Sequence, residues 1–373
     1  HLSRPASARA GPRAGTRARS QHPPRLFSRI LLGSLEHRPS HRQTPWRASR
    51  MTFKKSTRPK PKKWLPREHP RYVDEIWHVD VPMRRTLGAT LFIRAKSKGE
   101  KEGILQLWDR FLARADPDLQ WWHDSNVERL RPFDDRYRDF PKRVLGAPLK
   151  DFTYWDAHSG ERARDAAELR FAAALGASAK AGDPLDSAYW TMKESVDPRV
   201  LLDEALGLAR IVPIRHGTLG YCLDLCGSDR WDEHYSSMWA ACARFRGLDF
   251  PETFERSRCL DGIPTTNWIT FVHESFLKKV GGPQKLRKQL GQDIVFHEVL
   301  EGLAIQAGPQ PLLGDVNAGE DLPLYQEVAR ALAPSRSGTA FRGRWRLHFG
   351  GPNEQRNNFN TEETAAWLAR FER

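Results

Sequence analysis

At 373 residues the chain can hold one large domain or two modest ones, and is long enough to bury a real core. Its formal charge of +14 invites a nucleic-acid reading, yet residues 1–50 carry +10 and residues 51–70 another +6, leaving −2 for residues 71–373. Direct nucleic-acid binding by a near-neutral body is therefore excluded as an expectation, and any such attraction must come from the first seventy residues.

Residues 1–50 are rich in Arg, Ser, Pro and Ala around one short apolar run at Ile30, Leu31 and Leu32. That composition cannot bury enough surface to offset chain entropy. The first methionine is Met51, so residues 1–50 read as lying upstream of the native protein, with 1–70 as a disordered basic leader and 71–373 as a single domain. No apolar run approaches the roughly twenty residues needed to span a bilayer. Four cysteines (Cys222, Cys226, Cys242 and Cys259) are too few to staple a chain of this size, which fits a reducing, cytoplasmic setting.

In the body, residues 87–96 are β-branched and aromatic enough for a strand. Ile104, Leu107, Trp108 and Phe111 then recur at helical spacing over about 101–114. Residues 115–160 read as irregular. Strands are expected over 168–175 and 187–194 around the turn-forming Ala-Gly-Asp-Pro at 181–184, and a helix over about 198–210. A strand at 218–225 precedes a helix at 232–244, whose Tyr235, Met238, Trp239 and Cys242 share a face. Residues 267–273 form a buried-type strand, and Pro283 suits the first turn of a helix over 283–290. One or two strands follow over 294–305. Asp321 is placed to cap a helix running to about 332. An edge strand at 343–349 and a last helix capped by Asn360, with Glu363 three residues on, close the chain. The fold class is α+β, an antiparallel or mixed sheet with packed helices. A weak strand–helix recurrence at 87–114, 187–210 and 303–332 hints at two similar halves.

Candidate chemistry is sparse. Cys222 and Cys226 sit four residues apart, about 13 Å on a strand, too far to share one ion. Asp315, Asn317, Glu320 and Asp321 crowd oxygens around Gly319 as calcium loops do, but the bidentate Glu of an EF-hand is missing. His273-Glu274 and His297-Glu298 resemble half-dyads inside apolar strands. No cofactor or metal is expected. Thirteen tryptophans are many for this length. Trp121 and Trp122 beside Asp124, and Trp231 beside Asp232 and Glu233, have the composition of a partner-binding hot spot.

From residue 262 onward an ordered set of motifs accumulates. Gly262-Ile263-Pro264-Thr265-Thr266-Asn267-Trp268-Ile269-Thr270 leads to Gly281-Gly282, then to Gln306-Ala307-Gly308-Pro309 and Gly314-Asp315-Val316-Asn317. After these come Leu322-Pro323-Leu324-Tyr325-Gln326-Glu327-Val328-Ala329 and Thr364-Ala365-Ala366-Trp367-Leu368-Ala369-Arg370-Phe371. The set resembles the type VI secretion immunity family whose members neutralise VRR-type nuclease effectors. Phe245-Arg246-Gly247-Leu248-Asp249 and the strand from Leu87 fit more loosely, so the resemblance spans about 85–373. It implies a non-catalytic, cytoplasmic antitoxin that binds and occludes a toxin protein, with no membrane partner. It carries over no catalytic or binding residue. Two other readings stand beside it: a metal-dependent enzyme using the loop from Asp315 to Asp321, and a nucleic-acid-binding protein using the basic leader.

Overall fold

The computed structural model describes residues 83–93, 97–125, 130–146, 153–161, 165–176, 185–225, 240–249, 260–337 and 367–372. The chain divides into units 1–62 and 63–373, and the first lies outside the described residues.

Ten strands form one sheet: β1 (Met83–Ile93), β2 (Trp121–Asp124), β3 (Arg131–Pro132), β4 (Thr153–His158), β5 (Arg170–Leu175), β6 (Asp186–Met192), β7 (Ile214–Leu225), β8 (Ile269–His273), β9 (Ile294–Val299) and β10 (Gly302–Ala307). Their order is β3-β2-β4-β5-β6-β1-β7-β8-β10-β9. Every neighbouring pair is antiparallel. This is the α+β architecture expected, with the antiparallel option realised. The strand–helix recurrences all feed this one sheet.

Strand pleating sorts the residues of the central strands between two faces. Leu87, Ala89 and Leu91 of β1 pair in register with Met192, Trp190 and Ala188 of β6, and all six belong to the main core. Helix α1 (Lys98–Ala115) covers this face with Ile104, Leu107, Trp108 and Phe111. It begins three residues earlier than the apolar spacing alone indicates, because Ser97 and Glu100 form a reciprocal capping box. The short helices α2 (Asp135–Arg138) and α3 (Phe140–Leu145) follow, and α4 (Pro198–Ala209) opens on Asp197, whose side chain accepts the Arg199 N–H. Helix α4 packs on β1 and β7 beside α1.

The opposite face is polar. Thr86, Gly88 and Thr90 of β1 oppose Cys222, Gly220 and Thr218 of β7. A side chain at Gly88 would meet the Cys222 sulfur at 2.3 Å, so these two strands approach through a bare Cα. Beyond β8 the chain forms α5 (Glu274–Leu277), α6 (Pro283–Gln289) and α7 (Pro323–Leu332). Helix α7 packs on β10 and buries Tyr325, Val328, Ala329 and Leu332. The ends of β9 and β10 join through Leu300 and Glu301, the latter at φ 59°.

Several expectations are corrected. Residues 115–160 contain β2, β3, α2, α3 and β4 rather than irregular chain. Trp121-Trp122-His123-Asp124 has no β-branched residue, and pairing with β3 and β4 makes it a strand. Asp321 does not cap α7: Leu322 occupies the cap position and no side chain bonds there. The segment 240–244 is helical as expected, while residues 231–239, the turn at 181–184, the strand at 343–349 and the start of the last helix lie outside the described residues.

Candidate functional site

The predicted tryptophan patch divides when placed on the fold. Trp122 and Asp124 turn to the helix-covered face in register with Ala157 and Trp155, and are 0% and 3% exposed. The Trp122 ring stacks on Tyr137 at 5.0 Å, meets Trp108 edge-on at 6.1 Å, and donates its N–H to Asp124 at 2.7 Å. Both residues are therefore core, which corrects their placement in an exposed contact patch. An acid beside a tryptophan marked a buried hydrogen bond here. Trp121 points to the other face, half-buried, and donates to the Gly160 carbonyl at 2.8 Å. Trp231, Asp232 and Glu233 lie outside the described residues.

The polar sheet face holds a cluster that sequence reasoning did not single out. Arg170 on β5 lies 2.8 Å from Asp224 on β7 through Nε, and donates through Nη1 to Asp156 on β4 at 3.1 Å. Its Nη2 donates to the Leu225 carbonyl. Asp224 also accepts the Ala167 N–H at 2.6 Å and the Tyr189 hydroxyl at 3.2 Å. All three charged side chains are below a tenth exposed. Burial pushes the Asp224 carboxyl up to about 6, against the pull of Arg170. Cys222 contacts the Thr86 hydroxyl at 3.1 Å, and burial pushes its thiol far above the reactive range. The available signal was a charge inside an otherwise apolar strand, on the phase opposite its core-facing residues, as at Asp156 between Trp155 and Ala157.

The two histidine–glutamate half-dyads come apart. His273 caps α5 by accepting the Ser275 N–H on Nδ1 at 3.1 Å, and its Nε2 reaches Glu301, not Glu274. Glu274 pairs with Lys278 one helical turn on. His297 contacts Gln306 at 2.9 Å while Glu298 pairs with Arg287, as alternation along β9 requires.

The acidic loop closes on itself. Arg244 donates to both Asp315 oxygens, at 3.0 Å from Nε and 2.5 Å from Nη2. Asp315 also accepts the Asn317 N–H, and the Asp315 N–H donates to Glu320 at 2.9 Å. Burial works to raise the Asp315 carboxyl, but Arg244 and the backbone donors outweigh it and hold it below its usual value. No group of three or more His, Cys, Asp or Glu among the described residues could hold a metal ion. The Asp315 oxygens face Arg244 and the loop's own backbone.

A groove of about 430 Å³ runs between α1 and α4, lined by Arg110, Arg114, Val200, Asp203 and Glu204. Glu204 accepts from Arg114 and from the Trp190 N–H, and burial raises its carboxyl against Arg114. No helix among the described residues is long and apolar enough to cross a membrane.

The C-terminal residues fasten the segments that lie between β7 and β8 in the chain. Arg370 is buried, donates from Nε to the Arg246 carbonyl at 2.6 Å and from Nη2 to the Leu248 carbonyl at 3.1 Å, and reaches Thr265 through Nη1. Arg336 pairs with Glu372 and donates to the Pro264 and Leu368 carbonyls. The motifs at 245–249, 262–270, 314–317, 322–329 and 367–371 thus meet around one clasp.

Comparison with known proteins bears on the same region. The Pseudomonas aeruginosa T6SS protein PA0821 superposes with a TM-score of 0.67 at 24% identity, over 78% of this chain and 82% of that one, which is a likeness of fold. No curated protein matches the sequence. The sequence profile described as "Type VI immunity for VRR-NUC" matches residues 103–371, from within α1 through the clasp. Since that span takes in nine of the ten strands, with only β1 preceding it, the chain belongs to the family of type VI immunity proteins for VRR-NUC.

Proposed function

We propose that this immunity protein acts in the cytoplasm by binding its cognate VRR-NUC effector one-to-one and covering the effector's active site or substrate groove, with no reaction of its own. The carrying observation is the family match over residues 103–371. Two acids of the described residues are held by internal ion pairs, Asp224 with Arg170 and Asp315 with Arg244. A nuclease must present a basic surface to its nucleic acid, and a body of net −2 with exposed acids does not repel it. Residues 71–373 serve as the binding domain in this reading, and Trp121 with Trp231, Asp232 and Glu233 remain candidates for its contact surface.

The experiment is co-expression of the full chain with the VRR-NUC product of the neighbouring gene, scoring survival and co-purification. Survival with a stable complex is the expected result. A toxic product that is neither bound nor neutralised overturns the reading for that pair.

A further inference from the structure

The two edges of the ten-stranded sheet differ in kind. At one end β3 is two residues long, Arg131–Pro132, and a short charged strand ending in proline discourages pairing. At the other end β9 runs six residues, Ile-Val-Phe-His-Glu-Val, with no proline and no lysine. The ladder to β10 is unbroken from Ile294 to Val299, so no bulge bends the edge away. Among the described residues no strand pairs with the outer side of β9.

Its backbone alternation can be read off. Ile294 N–H bonds to the Gly291 carbonyl, and Ala307, its register partner, donates to Trp268 on the far side, so this pair does not exchange hydrogen bonds. Antiparallel pairs alternate, so Phe296 and Glu298 also turn their N–H and C=O groups outward. The edge therefore turns two evenly spaced sets of backbone groups outward, and none of them has a partner among the described residues.

Exposed apolar side chains collect at the same place. Of the four large hydrophobic residues exposed among the described residues, Val295 (46%) lies on β9 and Leu300 (40%) on its turn. Ile211 (37%) follows α4, onto which the Leu300 N–H docks through the Ala209 carbonyl. The fourth, Leu312, lies elsewhere on the chain, in the loop after β10.

We propose that the β9 edge is the docking strand for the effector, which adds an extended backbone segment carrying basic side chains beside β9. This rests on the immunity reading above. The occupant is chosen by charge: from Gln292 to Gly308 the hairpin carries Asp293, Glu298 and Glu301 and no lysine or arginine. Arg287 of α6 answers Glu298, and His273 contacts Glu301, while exposed Asp293 has neither. A second copy of this chain would set one acidic hairpin against another, whereas a nuclease surface built for nucleic acid supplies the opposite charge. Backbone pairing supplies affinity in this mode, and side chains such as Val295 supply the selectivity.

The test titrates purified full chain with a catalytically inactivated form of the neighbouring VRR-NUC effector. Val295→Lys places a charge on the exposed side of the edge. Glu298→Pro deletes an outward N–H without touching the ladder to β10, and Glu298→Ala controls for the lost carboxylate. Val295→Lys and Glu298→Pro should each raise Kd at least tenfold, Glu298→Ala less than threefold, and Tm should stay within a few degrees for all three. Wild type that binds while both edge variants bind equally well overturns the edge assignment and leaves the immunity reading intact. Wild type that fails to bind overturns both. A wild-type chain that sediments as a dimer, and as a monomer after Val295→Lys, assigns the edge to a second copy and overturns the proposal. Should Glu298→Pro lose its folded Tm, Val295→Lys on its exposed position decides alone.

Discussion

Asp224 has none of its surface exposed and shares Arg170 with Asp156, so two carboxylates face one buried guanidinium. With its carboxyl pushed up to about 6 by burial, the folded chain holds a proton that the unfolded chain has already released at the ordinary value of 3.8. The stability this contributes is complete below about pH 4 and is lost as pH rises through about 6, on the order of 3 kcal/mol over the window. His216 acts in the opposite sense. Buried against Phe92 and bonded to the Phe271 carbonyl, its imidazole is pushed down to about 3, so it costs stability as pH falls below 6.5. The two effects offset each other in the wild-type curve, and the comparison that isolates the first is with Asp224→Asn. Chemical denaturation at pH 4, 5, 6 and 7 should show the stability of wild type relative to Asp224→Asn falling with pH and levelling above 6. A difference independent of pH would place the Asp224 carboxyl at an ordinary value. Nothing in the string Tyr-Cys-Leu-Asp-Leu announces this behaviour, because the partner Arg170 lies two strands and fifty-four residues away.

At the scale of elements, local rules placed the helices well where a cap coincides with a periodic face. Asp197 and Pro198 open α4, and the stripe of Ile104, Leu107, Trp108 and Phe111 settles α1. Short elements escaped. Strand β2 is four residues long and exists because β3 and β4 pair with it, which no window of sequence records. The C-terminal clasp is likewise non-local. Arg370 donates to carbonyls 122 and 124 residues away, and burial lowers its guanidinium to about 10 against the attraction of Asp249. Replacing it with alanine leaves the Arg246 and Leu248 carbonyls without a charged donor. The expected loss is about 3 kcal/mol or more in chemical denaturation. Hydrogen exchange should report it first at Ile263 and Ser337, whose backbone bonds lie beneath the clasp, and last in β1 and β7. Unchanged stability would mean that residues 367–372 do not fasten the segments between β7 and β8.

For the whole molecule, charge is divided unequally: residues 1–70 carry +16 and the remainder −2. If the body alone recognises the effector, removing residues 1–70 should leave protection in co-expression unchanged. The same deletion should abolish salt-sensitive retention on nucleic acid, since cation contacts to phosphate supply that term. Loss of protection would instead put the leader in the contact surface. The sheet is assembled from distant pieces as well, with β1 seated between β6 and β7 although it precedes every other described element.

By itself the sequence determined the α+β class, the positions of the long strands and helices, the charge division and the family, because each is written in short-range pattern or in the order of motifs. Only the tertiary structure decided that Trp122 and Asp124 are core, that Asp315 belongs to Arg244, and that β9 is the last strand of the sheet among the described residues. Burial, ion pairing and strand order depend on which residues meet across long stretches of chain. A tryptophan next to an acid reads the same on a surface as in a core until the partner strand is in place.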